Sequence, residues 1–329
     1  MSLLSGVTAN NVWLASFLLS IGIILIIKGG DFFVDAAVWI AETFKVPKFL
    51  IGTTIVSIAT TLPEMIVSVI AVLSGDYSIS IGNAVGSVTA NTGLILAIGI
   101  IFMNGIIERK EFGIKSVLMV FASLIIFTFG LSGSFGILPS ILLLIIFLYY
   151  VYETIVFSKK SLKEEKVKEY KNEIKRKTII INVVKFNVGM IGIIIGANLL
   201  VENAKFFATA IGVSDGIIAI TIVAIGTSLP ELITTITSIV KKQSDLGIGN
   251  IIGANIIDLV LILPVCSIVS NGQLIIERQS MYLDIPAALV ISLVAVVPTM
   301  INGRFTKIQG IVLLFFYMIY IILAATLSL

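Results

Sequence analysis

Ala59-Thr60-Thr61-Leu62-Pro63-Glu64 and Gly226-Thr227-Ser228-Leu229-Pro230-Glu231 each set a carboxylate directly after a proline inside a long apolar run, and the two stretches lie 167 positions apart. Proline removes a backbone donor and clashes with the carbonyl four residues earlier, so the carbonyls of Ala59 and Gly226 are freed beside an acid. In hydrocarbon, a freed carbonyl and an ionised carboxylate persist only where protein, water or an ion satisfies them. The simplest satisfier is a cation.

Around these stretches the chain is apolar almost throughout. Of 329 residues, 58% are hydrophobic and 12% charged, and mean hydropathy is +1.13, whereas soluble domains carry about 25% charged residues. An all-α integral membrane protein is therefore expected. Runs long enough to cross a bilayer, about 20 residues, fall at 12–41, 49–73, 78–104, 114–131, 135–157, 179–211, 217–240, 246–270, 281–301 and 306–328. These are ten spans, of which the first and sixth exceed a perpendicular crossing and imply tilt or extension along the surface. A polar connector, 158–178, separates a first five-helix half, 1–157, from a second, 179–329. With nine basic and four acidic residues the connector reads as a solvated helix or loop. The one cysteine, Cys266, gives neither a disulfide framework nor a thiolate metal cluster. Residues 1–11 lack a positive n-region and the run after them is too long for a secretory signal, so it reads as the first membrane helix.

Basic residues fall on one side of this topology. Lys45, Lys48, Arg109, Lys110, Lys115, the connector, Lys241, Lys242, Arg304 and Lys307 share a face, and the loops opposite carry only Arg278. The positive-inside rule makes the connector cytoplasmic and both termini extracellular in a multi-pass cell-membrane protein. The net charge of +3 thus expresses topology and implies no nucleic-acid partner.

A shift of 167 positions keeps an ungapped match from Gly29/Gly196 to Leu94/Leu261: Thr54 falls on Thr221, Gly82-Asn83-Ala84-Val85-Gly86 on Gly249-Asn250-Ile251-Ile252-Gly253, and Asn91 on Asp258. Five spans, an odd number, separate equivalent positions, so the second copy enters the membrane from the opposite side. Two inverted five-helix repeats with broken helices at midplane are the architecture of secondary transporters.

Residues three and four apart share a helix face. The second span thereby aligns Ser57, Thr60/Thr61, Glu64 and Ser68, and the seventh aligns Thr227/Ser228, Glu231, Thr234/Thr235 and Ser238. The third adds Asn83, Ser87 and Asn91, and the eighth Asn250, Ala254 and Asp258. Every donor is oxygen, which selects hard cations; Ca2+ takes about 6 to 8 oxygens, and two bidentate glutamates supply four. Histidine is absent, which argues against zinc and copper. Three acids facing one divalent ion leave a charge over, to be balanced by a proton on Asp258 or by exchange for several Na+. Ser68, Thr235 and Ser238 read as packing groups rather than ligands. Asp31, Asp35 and Glu202 read as interface acids or as partners of Lys28 and Lys205, with an ion-path role as the alternative.

These residues resemble the Ca2+:cation antiporter superfamily, specifically its prokaryotic-type Na+/Ca2+ exchangers. The resemblance spans nearly the whole chain and rests on GTTIVSIATTLPE with GNAVGSVTAN in the first half and AITIVAIGTSLPE with GNIIGANIID in the second. It implies that Glu64 and Glu231 ligate Ca2+ with carbonyls near Ser57 and Ala224 and the groups of Thr60 and Thr227. It further implies that Na+ uses overlapping and flanking sites at Thr61, Ser228, Ser87, Asn91 and Asp258, three Na+ moving against one Ca2+. Here Ala254 stands where the family usually has a serine hydroxyl, Ala59 replaces a glycine, Thr61 a serine and Ser57 an alanine.

The function expected is electrogenic Na+/Ca2+ antiport by alternating access, by a monomer in the lipid bilayer, with Ca2+ and Na+ as cargo and no cofactor. The alternative is H+/Ca2+ antiport, disfavoured because no further acid follows either Gly-Asn pair. A passive channel would not need mirrored midplane acids. An intramembrane protease is excluded from the histidine-dependent types by the lack of any histidine, and no GxGD motif is present.

Overall fold

Long apolar runs bounded by Gly, Asn, Pro and charged residues fold here into helices, because in lipid only a helix satisfies its own backbone. A computed structural model describes residues 12–103, 109–165, 176–210 and 224–326. Ten helices cross or enter the membrane layer: α1 Val12–Phe44, α2 Lys48–Leu73, α3 Tyr77–Phe102, α4 Arg109–Gly130, α5 Ile137–Glu165, α6 Arg176–Ala210, α7 Leu229–Val240, α8 Ser244–Val269, α9 Ser280–Asn302 and α10 Lys307–Thr326. Among the described residues nine are long and apolar enough to span a bilayer by themselves, and α7 has 12 residues. The expectations for residues 1–11, for most of the connector (166–175), for 211–223 (Thr221 among them) and for 327–329 lie outside the described residues.

The long helices are longer than the sequence reading gave. α1 has 33 residues and α6 has 35, about 50 Å each at 1.5 Å per residue, well beyond a hydrocarbon core of about 30 Å. α5 continues to Glu165, past the expected boundary at 157, because Lys-Lys-Ser-Leu-Lys-Glu-Glu is rich in good helix formers.

α1 and α6 lie antiparallel against each other on glycines. A Cβ on Gly22 would stand 3.0 Å from the carbonyl oxygen of Gly196, and one on Gly29 would stand 2.8 Å from that of Gly189. Shifting each member of the first contact by 167 positions, forward for Gly22 and back for Gly196, yields the second. The inverted repeat is thus visible as a pair of exchanged contacts. On the face opposite the connector, Ser134–Phe135 and Leu274–Ile275 form a two-stranded antiparallel pair that ties the α4–α5 loop to the α8–α9 loop. Both loops belong to one face in the ten-span topology.

The core is built on α8, whose residues Leu246 to Ile257 are nearly all buried, packed by α2, α3, α4 and α7. α2 crosses α8 without side chains between them: Gly52 and Gly249 abut the backbone of the facing helix. One basic residue counted above as a loop charge lies elsewhere. Lys115 sits inside α4, buried, with its Nζ 2.9 Å from Glu153 Oε2 on α5 and 5.5 Å from the centre of the Phe157 ring. A lone ammonium at that depth would be costly, and the carboxylate offsets it.

A candidate cation site between two buried glutamates

The two prolines act differently. Pro63 lies inside a continuous α2, whose local relaxation comes earlier, in a wide π-helical turn at Gly52–Val56. Pro230 opens α7: a separate helical turn, Ala224–Thr227, ends at Ser228 (φ −92°, ψ 12°), and α7 starts at Leu229. Glu231 therefore stands in the first turn of a helix, where the positive end of the peptide dipoles favours an anion. Glu64 stands in mid-helix and lacks that support.

The fold brings both acids to one place. Glu64 is 2% exposed and Glu231 is fully buried, and their carboxyls are close enough to interact directly, with Thr60 beside Glu231. No well-formed hydrogen bond reaches Oε2 of Glu64 or either carboxylate oxygen of Glu231, and no Lys or Arg among the described residues pairs with them. Two buried carboxyls in contact with no basic partner demand a cation or a proton.

Hydroxyls around the pair are oriented by their neighbours. Thr61 donates to the Ser57 carbonyl at 2.6 Å, while Thr60 lies 3.3 Å from that carbonyl and 3.1 Å from Asn250 Oδ1. A hydroxyl whose proton is committed to a carbonyl turns lone pairs outward. The Ser57 carbonyl, in the stretch where the resemblance implies carbonyl ligands, accepts from Thr61 and lies within reach of Thr60. The π-helical turn before Ser57 is held from α5, where the Tyr150 hydroxyl donates to the Thr53 carbonyl. Asn83 donates to the Glu64 carbonyl at 3.0 Å and to Ser68 Oγ at 2.9 Å, so Ser68 is a packing group as expected.

Ser87, Asn91, Ser228 and Asp258 are all buried, and Ser87 Oγ, Asn91 Oδ1, Ser228 Oγ and both Asp258 oxygens have no hydrogen-bond partner. Asp258 lies near enough to feel both glutamate charges. It does not close a triad: among the described residues no three acidic or thiol side chains converge on one point. Asp258 is a buried neighbour of the glutamate pair. Thr227 is half-buried beside Gly226, and Ala224 lies in the turn before the break.

Sequence reading missed the π-helical turns at Asn91–Leu96 in α3 and Asp258–Ile262 in α8. They begin at repeat-equivalent residues and widen each helix where its polar side chain enters the site, a distortion frequent at functional sites. It also misassigned the partners of Asp31 and Asp35. Lys241 Nζ, not Lys28, reaches Asp35 Oδ1 at 2.6 Å and Asp31 Oδ1 at 3.2 Å. The Glu202–Lys205 contact is present but long, at 4.0 Å.

Comparisons with known proteins agree with this geometry. The sequence pattern of the family described as sodium/calcium exchanger protein matches residues 14–156 and 181–326. A sodium/calcium exchanger of Methanosarcina acetivorans is 28% identical, over 93% of this chain and 97% of its own. An uncharacterised membrane protein of Methanocaldococcus jannaschii is 32% identical over 92% and 95%. The solved structure of the sodium-calcium exchanger NCX_Mj soaked with 10 mM Na+ and 10 mM Sr2+ superposes with a TM-score of 0.79 at 30% identity, covering 95% of this chain and 99% of that one. With matches in both halves, to sequence and to solved structure alike, this chain belongs to the sodium/calcium exchanger family.

Proposed function

We propose that this protein exchanges Na+ for Ca2+ across the cell membrane by alternating access, with three Na+ moving against one Ca2+ and one net charge carried per cycle. The observation that carries this reading is the carboxylate pair Glu64/Glu231, contributed by the two halves of the inverted repeat, buried together and paired with no basic side chain among the described residues. Each carboxylate costs about 2.5 to 3.5 kcal/mol at midplane, which a divalent ion held between them offsets. Thr60 and Thr227 join the Ca2+ shell with carbonyls near Ser57 and Ala224. Na+ takes overlapping and flanking positions at Thr61, Ser228, Ser87, Asn91 and Asp258. The connector faces the cytoplasm, both termini face outward, and the working unit is a monomer that uses no cofactor.

The test is uptake of radioactive Ca2+ into proteoliposomes loaded with Na+. Uptake should require the outward Na+ gradient and should rise when the interior is made positive, because three Na+ leaving against one Ca2+ entering carry one net positive charge outward, with about 2.3 kcal/mol per 100 mV per cycle acting on it. Uptake driven by a pH gradient and indifferent to Na+ would contradict the reading and favour H+/Ca2+ antiport.

Asp258 gives a second test. Because it stands beside the glutamate pair rather than within it, Asp258→Asn should leave Ca2+ affinity within about threefold while altering the Na+ dependence or pH dependence of exchange. A mutant with both dependences unchanged would assign Asp258 to packing.

A further inference from the structure

The two halves are related by sequence but differ in how α1 and α6 pack on the helices that carry the glutamates. Positions 35 and 202 are repeat equivalents, and both carry acids, Asp35 on α1 and Glu202 on α6. Their surroundings differ. Glu202, 40% exposed, lines a cavity of about 190 Å³ together with Lys205, and the same cavity is lined by Pro63 and Glu64 on α2 and by Gly226 and Thr227 before α7. Among the described residues its one ion pair is the 4.0 Å contact with Lys205 on its own helix, both side chains being more than a third exposed, a contact of little strength.

Asp35 lines a separate hollow of about 530 Å³ with Trp39, Glu42, Lys185 and Lys241, and none of the candidate ligands borders it. The way from Asp35 towards Glu231 is filled. Val34 and Ala59 are core residues there and Ile233 packs on them. A Cβ on Gly30 would meet Thr237 Oγ1 at 2.8 Å and the Ile233 side chain at 3.1 Å, so α1 lies directly on α7. The repeat equivalents of Ile233 and Thr237 are Ile66 and Ile70 on α2, and these are 55% and 57% exposed. α6 therefore does not cover α2 as α1 covers α7. Lys241, in the turn after α7, fastens the closed side by bonding Asp35, Asp31 and the Asp31 carbonyl at 2.6, 3.2 and 3.2 Å.

We propose that Asp35 and Glu202 are the gateway carboxylates of the cation path, one for each membrane face, and that Lys241 latches the Asp35 gateway shut while the Glu202 gateway is open. Glu202, lining the cavity with a weak partner, concentrates cations ahead of Glu64. Asp35 plays the same part when α1 leaves α7, and is denied to cations while two carboxylates share the Lys241 ammonium. The proposal rests on the exchanger reading for the cargo alone; the conformational asymmetry stands without it.

The test uses the full chain with Cys266→Ser and one reporter cysteine at repeat-equivalent depth, Val67→Cys beside the open cavity or Thr234→Cys beside the sealed path, labelled with a water-soluble thiol reagent in detergent. The 67 reporter should react readily and the 234 reporter should be protected. Adding Lys241→Ala should speed labelling at 234 by about three- to tenfold, the range set by a partly exposed ion network, and slow it at 67. Lys241→Arg should restore the parental rates. Unchanged rates in Lys241→Ala, or equal change in Lys241→Arg, would overturn the latch. For the gateway, Glu202→Gln should raise the KM for Ca2+ offered to the open face about three- to tenfold at low ionic strength, with the maximal rate retained and the difference shrinking in salt. An unchanged KM would overturn that role. Labelling needs no transport, so a parent protein that labels as described but takes up no Ca2+ would count against the exchanger reading and not against the latch.

Discussion

Replacing either buried glutamate, by Glu64→Gln or Glu231→Gln, is expected to abolish Ca2+ transport while leaving a folded protein. Two unit charges 4 Å apart at an effective dielectric of 20 attract by about 4 kcal/mol, so a divalent ion loses about 8 kcal/mol of gross attraction with each carboxylate. Even if desolvation returns two-thirds of that, the remainder is about a hundredfold in affinity. The amide keeps the volume of the acid and removes a buried charge that no basic residue among the described ones pairs with. Thermal stability without Ca2+ should therefore hold or rise, and the stabilisation that Ca2+ confers should vanish. The measurement is paired: unfolding with and without Ca2+, and uptake in proteoliposomes. Near-normal uptake by either variant would refute the shared-ligand assignment.

Gly253→Ala should be nearly as damaging, for steric reasons. A Cβ at this point of α8 would lie 2.6 Å from both Cα and the carbonyl oxygen of Thr53 and against Ser57 Oγ. These are atoms of a facing helix, not the tip of a flexible chain. Accommodation requires α2 to move, and with it Ser57, Thr60 and Glu64. Overpacking of this kind costs about 1 to 3 kcal/mol, and displacement of the ligand helix should remove Ca2+-dependent stabilisation as well. The repeat equivalent is the control. A Cβ on Gly86 meets no described atom within 4 Å, so Gly86→Ala should be neutral or should gain up to about 1 kcal/mol of helix propensity. Equal effects at both glycines, read by thermal unfolding, would contradict the asymmetric packing on which the open and closed faces rest.

Much of this arrangement was legible in the sequence because it is written in local patterns. Run lengths give ten spans, and the matched Pro-Glu and Gly-Asn pairs give the repeat and its inversion. The stripe spacing gives the buried faces: Ser57, Thr60, Thr61, Glu64 and Ser68 of α2 are all buried. What was not legible depends on how the two copies differ once folded. Pro63 and Pro230 occupy matching positions, yet one rides within a helix and the other begins one, because relaxation in α2 occurs at Gly52–Val56 and in α7 at Ser228. Asn91 and Asp258 were selected for their side chains, while the π-helical turns that begin there are backbone responses to packing. Lys241 is one of many face-positive residues in the sequence, and its hold on Asp31 and Asp35 joins positions more than 200 apart. Nothing local to Lys115 marks it as buried, because its partner, Glu153, comes from another helix.

The central claim, that Glu64 and Glu231 jointly hold the transported divalent ion, is tested most directly by anomalous scattering from crystals of this protein soaked in Sr2+ at low Na+. The account requires a strong peak within ligand distance of both carboxylates, lost when the soak is repeated in high Na+. A peak that touches neither glutamate, or one unaffected by Na+, would contradict it.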